Sequence, residues 1–532
     1  MTGSRQPGRA GPQWTRLCRA GWRWADGGRI SSWLGWAGSR RAGAGARIPG
    51  WVPAAGATAV AAVLTGLVVL SVHAPQVTRV AGASVEVWLW LAFAAGGWLT
   101  LRTRPRLAGP LIILGAAAIQ LAALSASPRD NDLYRYIWDG RVQAAGIDPY
   151  RYVPAAPQLA RLRDAFLWPA HGPICITATG RTSGFDAGPQ LSSLGLRVPP
   201  ITPGCTRINR PGVHTIYPPV AEAYFAVVHW LSAQGSGSLP IQAAAACCAV
   251  ATAVLLAVGL RRLGRDPRLA VLWAWCPLTG LQAGNDAHVD VLAALLTVAA
   301  LLTLAGGGGR ARTARGAVLL ALAITTKVTP VLAAPAALRR RPVTVITAAV
   351  GTAVAVYLPH VIAVGGAVIG YLPGYLTEEG YGTGRRFQLL GLAVPGSWTA
   401  PAAVVLLGAV ALAVLRTADP DRPWRGAVVM TGAALAVTTP ELPWYAVLLV
   451  ALVALDGRAE WLAIAAAGDL TPNQAGYAAA VAAVAVVSLA RWSARRRAAR
   501  PGTEPDGVPR RRLRLPAAAG RAATGRPQVP GR

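Results

Sequence analysis

Apolar runs of eighteen residues or more recur along this chain, Val52–Val72 and Val289–Gly306, the second with Asp290 at its start, among them. Each is long enough to cross a hydrocarbon core roughly 30 Å thick as a helix. No single water-soluble core consumes that many such segments, so they dictate a bundle of membrane-crossing helices. Composition bears this out at the surface: 14% of the 532 residues are charged against 53% hydrophobic, too few charges to solvate a soluble protein. Fibrous, disordered and small disulfide-stapled classes are excluded with it. The fold class is an all-α polytopic membrane protein.

A formal net charge of +30 would point to nucleic acid in a soluble protein, but its distribution says otherwise. Residues 1–50 and 491–532 hold eighteen of the thirty excess positive charges, and much of the rest stands in short connections between apolar runs. Basic flanks of this kind are the positive-inside signature. They put a basic leader (1–50) and a disordered basic tail (491–532) in the cytoplasm against anionic lipid headgroups, with the transmembrane domain at 51–490 and nucleic acid not an expected partner. The first apolar run opens near Trp51, too far from Met1 for a cleaved signal peptide, so none is expected.

With the Arg clusters held inside, about 52–72 runs outward, about 84–101 returns to Arg102–Arg106, and about 107–125 runs out again. The long loop 126–215 then lies outside. Of the next two segments, 241–260 crosses, while Tyr217–Glu222 lies along the outer face. Residues 316–338 read as a pair of short helices broken near Thr326–Pro330, with Lys327 at the break. The segment 343–370 leads out to Glu378 and Glu379, 390–415 returns, and 426–438 leads out to Thr439–Trp444. The total is about eleven to thirteen spans by helix length.

This threading uses only basic residues, yet it gathers Asp130–Arg141, Asn285–Asp290, Glu378–Glu379 and Glu441–Tyr445 on the external face. Ionisable groups beside a span are costly unless they face a cavity or a partner, so a polar pocket open to the outside is predicted. In the richest stretch, helical spacing puts Asp132, Arg135, Tyr136 and Asp139 on one face. A cation there can hold a phosphate while a neighbouring carboxylate takes a proton. Asp286 and Asp290 also fall on one helical face beside His288, as a capping cluster or as substrate contacts. Lys327, the only lysine, calls for a phosphate or carboxylate partner or else snorkels to the cytoplasm. Glu441, Trp444 and Tyr445 make either an aromatic sugar platform or an interfacial belt, and Glu378 and Glu379 read as solvated. Cys175 and Cys205 are the only two of six cysteines in the external loop, where an oxidising exterior favours a disulfide. The His and Cys spacings suit no zinc site, and no Gly-rich phosphate loop sits in a strand–helix pattern, so neither an obligatory metal nor a nucleotide donor is expected, although an acidic pocket could admit a divalent ion.

The stretch Asp132-Leu-Tyr-Arg-Tyr-Ile-Trp-Asp-Gly-Arg141 with Gly146-Ile-Asp-Pro-Tyr150, followed by Thr215-Ile-Tyr-Pro-Pro-Val220 and His288-Val-Asp290, resembles the polyprenol-phosphate-dependent mannosyltransferases of actinobacterial envelopes. These are integral-membrane glycosyltransferases of the GT-C superfamily, and the likeness runs over roughly residues 50–490. The resemblance implies a GT-C-like bundle in the plasma membrane with its site facing the extracytoplasmic side. It implies transfer of a sugar, mannose, from a polyprenyl-phosphate donor to an envelope glycan or glycolipid, with inversion and without a cofactor. Asp132 matches the family's acidic position ahead of the Tyr-Arg-Tyr motif and is the expected general base, with Asp130 its rival. Arg135 and Arg141 are expected on the donor phosphate, with Tyr134, Tyr217, His288, Asp290, Lys327 and Trp444 as further substrate contacts. A transporter or flippase of a lipid-linked saccharide is the alternative, against which stand the lack of visible repeats and the one-sided carboxylates. A non-catalytic scaffold leaves Asp130–Tyr150 unexplained.

Overall fold

The computed structural model describes residues 51–177, 182–184 and 200–499; the basic leader and the tail past residue 499, with the lipid contacts expected of them, lie outside the described residues. Helix α1 (Val52–His73) pairs with α2 (Val85–Arg102) through a tight hairpin between β1 (Arg79–Val80) and β2 (Ala83–Ser84). Its two turn residues, Ala81 and Gly82, take φ of 48° and 84°, the left-handed pair that matches strand twist in a two-residue turn. Ser84 then caps α2 by accepting from the Val87 N–H at 3.2 Å, and α3 (Pro105–Leu124) starts on a proline whose missing N–H costs nothing in a first turn.

The long loop that follows carries structure of its own. It contains α4 (Asp132–Ala144), a 3₁₀ turn (Pro157–Leu162) and a three-stranded antiparallel sheet with β3 (Ile174–Ile176) between β4 (Thr182–Gly184) and β5 (Gly204–Thr206). Cys175 stands opposite Cys205 in the β3–β5 register, and the two are disulfide-bonded. After α5 (Pro219–Leu231) and α6 (Leu239–Arg262) the chain becomes a broken helix. A 3₁₀ turn leads into α7 (Val271–Ala274), Pro277 interrupts it, and α8 (Pro277–Thr279) runs on into one π-helical turn, Gly280–Asn285. Then come α9 (Asp290–Leu304), α10 (Arg310–Ile324), a 3₁₀ turn at Thr329–Ala333, α11 (Ala334–Ala337), α12 (Pro342–Val364) and α13 (Leu372–Glu378). The last helices are α14 (Gly396–Thr417), α15 (Trp424–Thr438), α16 (Val447–Asp456), α17 (Leu462–Leu470) and α18 (Gln474–Ala499).

Two packing devices hold the bundle. Helix α16 is buried along its whole length and forms the core axis. Around it, close approach depends on small residues. A Cβ on Gly115 would lie 2.5 Å from the Trp275 ring and one on Gly259 2.5 Å from Leu302, so bulk at either position would drive neighbouring helices apart. Trp275 sits in that slot with its Nε1–H donating to the Ile112 carbonyl at 3.1 Å. The opposite behaviour marks the periphery. In α12 only Val345 is buried, while Val343, Ile346, Val350, Val354, Leu358 and Ile362 are exposed, an apolar surface suited to lipid and not to water.

Among the described residues six helices are long and apolar enough to cross a bilayer alone, whereas Asp290–Leu304 and Pro443–Asp456 are shorter apolar segments. The other spans of the threading are broken or short. Interrupted helices survive where neighbouring helices cover the freed backbone groups, as at residues 271–289, all of which are buried.

The two ends of the bundle differ in chemistry. At one end the arginine-rich turns bond to one another's backbones. Arg268 donates to Thr103 O at 2.9 Å, Arg265 to Asp456 O at 2.8 Å, Arg339 to Ala418 O at 3.0 Å and Arg458 to Arg425 O at 2.8 Å. These are the clusters that the positive-inside rule assigns to one side. Those turns hold Asp266, Asp421 and Asp456 as ion-pair partners of their arginines, whereas Asp130, Asp132, Asp286, His288 and Trp444 gather away from them.

Candidate active site

The site is built on the π-helical turn. Gly284 lets this turn press against α3, since a Cβ there would lie 2.7 Å from Gln120 Oε1 and 2.8 Å from Ala123. Asn285, thus brought to the end of α3, donates to Ala123 O and Ser127 O at 3.1 Å each. Its own Oδ1 accepts from the Arg129 N–H at 3.1 Å, and Asp286 Oδ1 accepts from the N–H groups of Arg129 and Asp130 at 3.1 and 3.2 Å. The chain between α3 and α4 is therefore shaped by buried side chains more than 150 residues away in sequence. Ala287, at φ 55°, turns the backbone sharply afterwards. Asp286 and Asp290 consequently do not share a helical face: Asp286 serves the α3–α4 connection, while Asp290 opens α9.

On that platform Asp130 Oδ1 accepts from the Asp132 N–H at 2.7 Å, which starts α4. Burial, and then the charge of Asp132, push the Asp130 carboxyl up from 3.8 to about 6. Asp132 keeps 18% of its side chain exposed. Its Oδ1 accepts from Asn209 Nδ2, and its Oδ2 accepts from the Tyr217 hydroxyl at 3.4 Å and lies 3.9 Å from His288 Nδ1. His288 is fully buried, stacks on Trp444 with ring centroids 4.1 Å apart, and has no hydrogen-bond partner on either ring nitrogen. A buried imidazole with both nitrogens unmet is rare in a folded protein.

Lys327, at the break after α10, donates to Asp290 Oδ2 at 2.9 Å and stands 5.8 Å above the Tyr217 ring. Arg210 is the second cation here. Following Asn209 directly, it grips Glu378 of α13 at 2.5 to 3.1 Å. Burial works against its charge, but Glu378 and then Asp132 hold the guanidinium above its ordinary range. Glu379 pairs in turn with the buried Arg386. Glu378 and Glu379 are 16% and 10% exposed, so they are structural partners of arginines and not solvated, correcting the sequence reading.

Arg135 and Arg141 are directed elsewhere. Arg135 is 4% exposed, with Nε 2.9 Å from both oxygens of Asp139 and Nη1 donating to Val213 O at 3.2 Å. Gly140 explains how deep it lies. A Cβ there would meet the Phe225 carbonyl at 2.5 Å, so α4 and α5 lie almost in backbone contact and the Arg135–Asp139 pair is trapped beside Glu222. Burial raises the Asp139 carboxyl against the pull of Arg135. Glu222 takes hydrogen bonds from Thr215 Oγ1 at 2.7 Å and Gln143 Nε2 at 3.0 Å. Arg141 turns to the loop, with Asp164 at 2.6 Å and Leu162 O at 3.1 Å. Tyr134 faces Phe166 edge-on, ring centroids 5.9 Å apart. The structure thus brings together Asp130, Asp132, Tyr217, His288, Asp290, Lys327 and Trp444, and carries Arg135, Arg141 and Tyr134 into supporting contacts. Asn209 and Arg210 were not singled out from the sequence, and nothing local in their surroundings marks them; Glu378 was placed on the external face there but without a partner.

Among the described residues no group of three or more His, Cys, Asp or Glu side chains is arranged to hold a metal ion. Residues 215–440 match glycosyltransferase family 87. That is a GT-C-type membrane family, and with the surrounding helical bundle the match indicates a membrane glycosyltransferase. It covers less than half of the chain. Within it lie Tyr217, His288, Asp290, Lys327, Glu378 and Arg386, whereas Asp130 and Asp132 precede it. No curated protein and no solved structure matches the chain.

Proposed function

We propose that the protein transfers a sugar, mannose by the sequence resemblance, from a polyprenyl-phosphate donor to a glycan or glycolipid acceptor with inversion at the anomeric carbon, on the extracytoplasmic face of the plasma membrane. The observation that carries this reading is Asp132: a partly open carboxylate, oriented by Asn209 and Tyr217, beside an unmet buried histidine and on the same side as Arg210 and Lys327. In the proposed step the acceptor hydroxyl attacks the anomeric carbon and gives its proton to Asp132. The new carbon–oxygen bond forms as the bond to the phosphate oxygen breaks, and the lipid phosphate departs with that electron pair. Positioned cations are what such a leaving group needs, and Arg210 and Lys327 supply them in place of Arg135 and Arg141. No cofactor enters the step. The lipid chain of the donor would lie along the exposed apolar helices, and the basic tails would rest on anionic headgroups.

A lipid-linked-saccharide transporter would need charges near the bilayer midplane reachable from both sides, whereas Asp130, Asp132, Asp286 and His288 stand together in one cluster. Purified protein in lipid nanodiscs, given polyprenyl-phosphate mannose and a mannoside, should form a new glycosidic bond. Movement of intact lipid-linked sugar across proteoliposomes without such a bond would favour the transporter.

A further inference from the structure

A polar cavity of about 220 Å³ is lined by Glu378, Glu379, Arg385, Arg386, Glu441 and Leu442. Its volume suits a sugar ring better than a lipid tail. Two of its features mark a built site. Arg386, on the cavity wall, is 5% exposed, and its Nε has no hydrogen-bond partner. The guanidinium is held by Glu379 and flanked by the Tyr381 and Tyr445 rings at 5.9 and 5.7 Å. The second feature is backbone strain. Thr439, a β-branched residue at φ 38°, is in a conformation kept where the surroundings over-determine it. There its hydroxyl donates to Arg386 O at 2.8 Å and accepts from the Gln388 N–H at 3.3 Å. The turn that carries Glu441 is thereby pinned to the strand of chain that carries Arg386, fixing the two walls relative to each other.

The cavity walls connect to the proposed reaction centre by short chains of contacts. Glu378, on its wall, is the partner of Arg210, whose neighbour Asn209 holds Asp132. On the other side, Leu442 and Glu441 lead within three residues to Trp444, which stacks on His288. Three carboxylates against two guanidiniums repel a phosphate but suit paired hydroxyl groups, because a carboxylate accepts from two donors at once and a guanidinium fork donates in return.

We propose that this cavity is an acceptor subsite that takes a neutral, unphosphorylated hexose unit, held by Glu441, Glu379 and Arg386. This rests on the glycosyl-transfer reading but is tested without it. Saturation-transfer NMR on the full chain in nanodiscs, with methyl α-mannoside and methyl α-glucoside as probes, should detect binding of at least one. Glu441→Ala, a change at an exposed side chain, should weaken that binding at least tenfold. Asp421→Asn, in the arginine-rich turns where Asp421 pairs with Arg340, should leave it within twofold, and mannose 6-phosphate should bind more weakly than the neutral hexoside. The subsite is overturned if neither hexoside binds, if Glu441→Ala binds as the unchanged protein does, or if the phosphorylated sugar is preferred. Hexoside binding that depends on Glu441 in a protein without transfer activity would sink the transfer reading alone. Transfer activity with Glu441-independent hexoside binding would sink the subsite alone.

Discussion

Replacing Lys327 with Met removes one half of an ion pair whose two members differ in burial. Lys327 keeps 19% of its side chain exposed, Asp290 only 4%, and they meet at 2.9 Å. Breaking a buried pair by deleting one partner typically costs about 3–5 kcal/mol, because the other charge stays behind uncompensated. Asp290 is in the first turn of α9, where the unpaired N–H groups and helix dipole return about 0.3–1 kcal/mol to a carboxylate. Lys327→Met should therefore lose about 2–4.5 kcal/mol of stability, with the stranded carboxylate as the cause. Asp290→Asn strands an ammonium that can extend to water, so it should lose less, about 1–2 kcal/mol. The double substitution leaves no charge and should recover to within about 1 kcal/mol of the unchanged protein. Equilibrium unfolding in mixed detergent and sodium dodecyl sulfate, followed by tryptophan fluorescence, reads all four proteins. A double variant as unstable as the sum of the singles would refute the pairing, and so would a neutral Lys327→Met.

Three more expectations concern the loop around the site. Asp130 titrates at about 6 when folded and near 3.8 when unfolded, so its buried charge penalises the fold above pH 6 and the penalty is relieved as pH falls towards 4. Asp130→Asn should then be more stable than the unchanged protein by on the order of 1–2 kcal/mol at pH 7.5, with the difference vanishing near pH 4; a gap that widens on acidification contradicts this. Non-reduced peptide mapping should recover Cys175 linked to Cys205, and Cys205→Ser should destabilise by about 3 kcal/mol, the chain-entropy value for a closed loop of this length; alkylatable thiols at both positions refute the bond. Single cysteines at Ser183 and Thr377, in a background that keeps Cys175 and Cys205 but lacks the other four, should react with an impermeant maleimide in intact cells, and reaction only after lysis would invert the topology.

The helical membrane bundle was legible because its cause is local: apolar length and the placement of arginines depend on neither partner nor register. The helix break at Thr325–Val328 was legible for the same reason, Pro330 disfavouring helix just before it. What one helix cannot say about itself is which face turns inward. Spacing alone pairs Arg135 with Asp139, but α4 is packed on two sides, Leu133 and Tyr136 against α5 and Trp138 and Val142 against the loop. Burial on both sides takes Arg135 out of the pocket that its motif suggested. Asp286 and Asp290 were separated by the turn at Ala287, a positive φ that no alanine advertises. Arg210 and Glu378 lie 168 residues apart, and a contact of that separation leaves no periodic trace.

The most direct test of the account is transfer by the unchanged protein and by Asp132→Asn, side by side, from radiolabelled polyprenyl-phosphate mannose to a mannoside. The unchanged protein should form the disaccharide and release one polyprenyl phosphate for each bond made. Asp132→Asn should lose about 10²–10⁴ in rate, the usual cost of a positioned base, while still binding donor. Turnover retained by Asp132→Asn but lost in Asp130→Asn would move the base to Asp130. No transfer by the unchanged protein, or near-full turnover in both variants, would contradict the account.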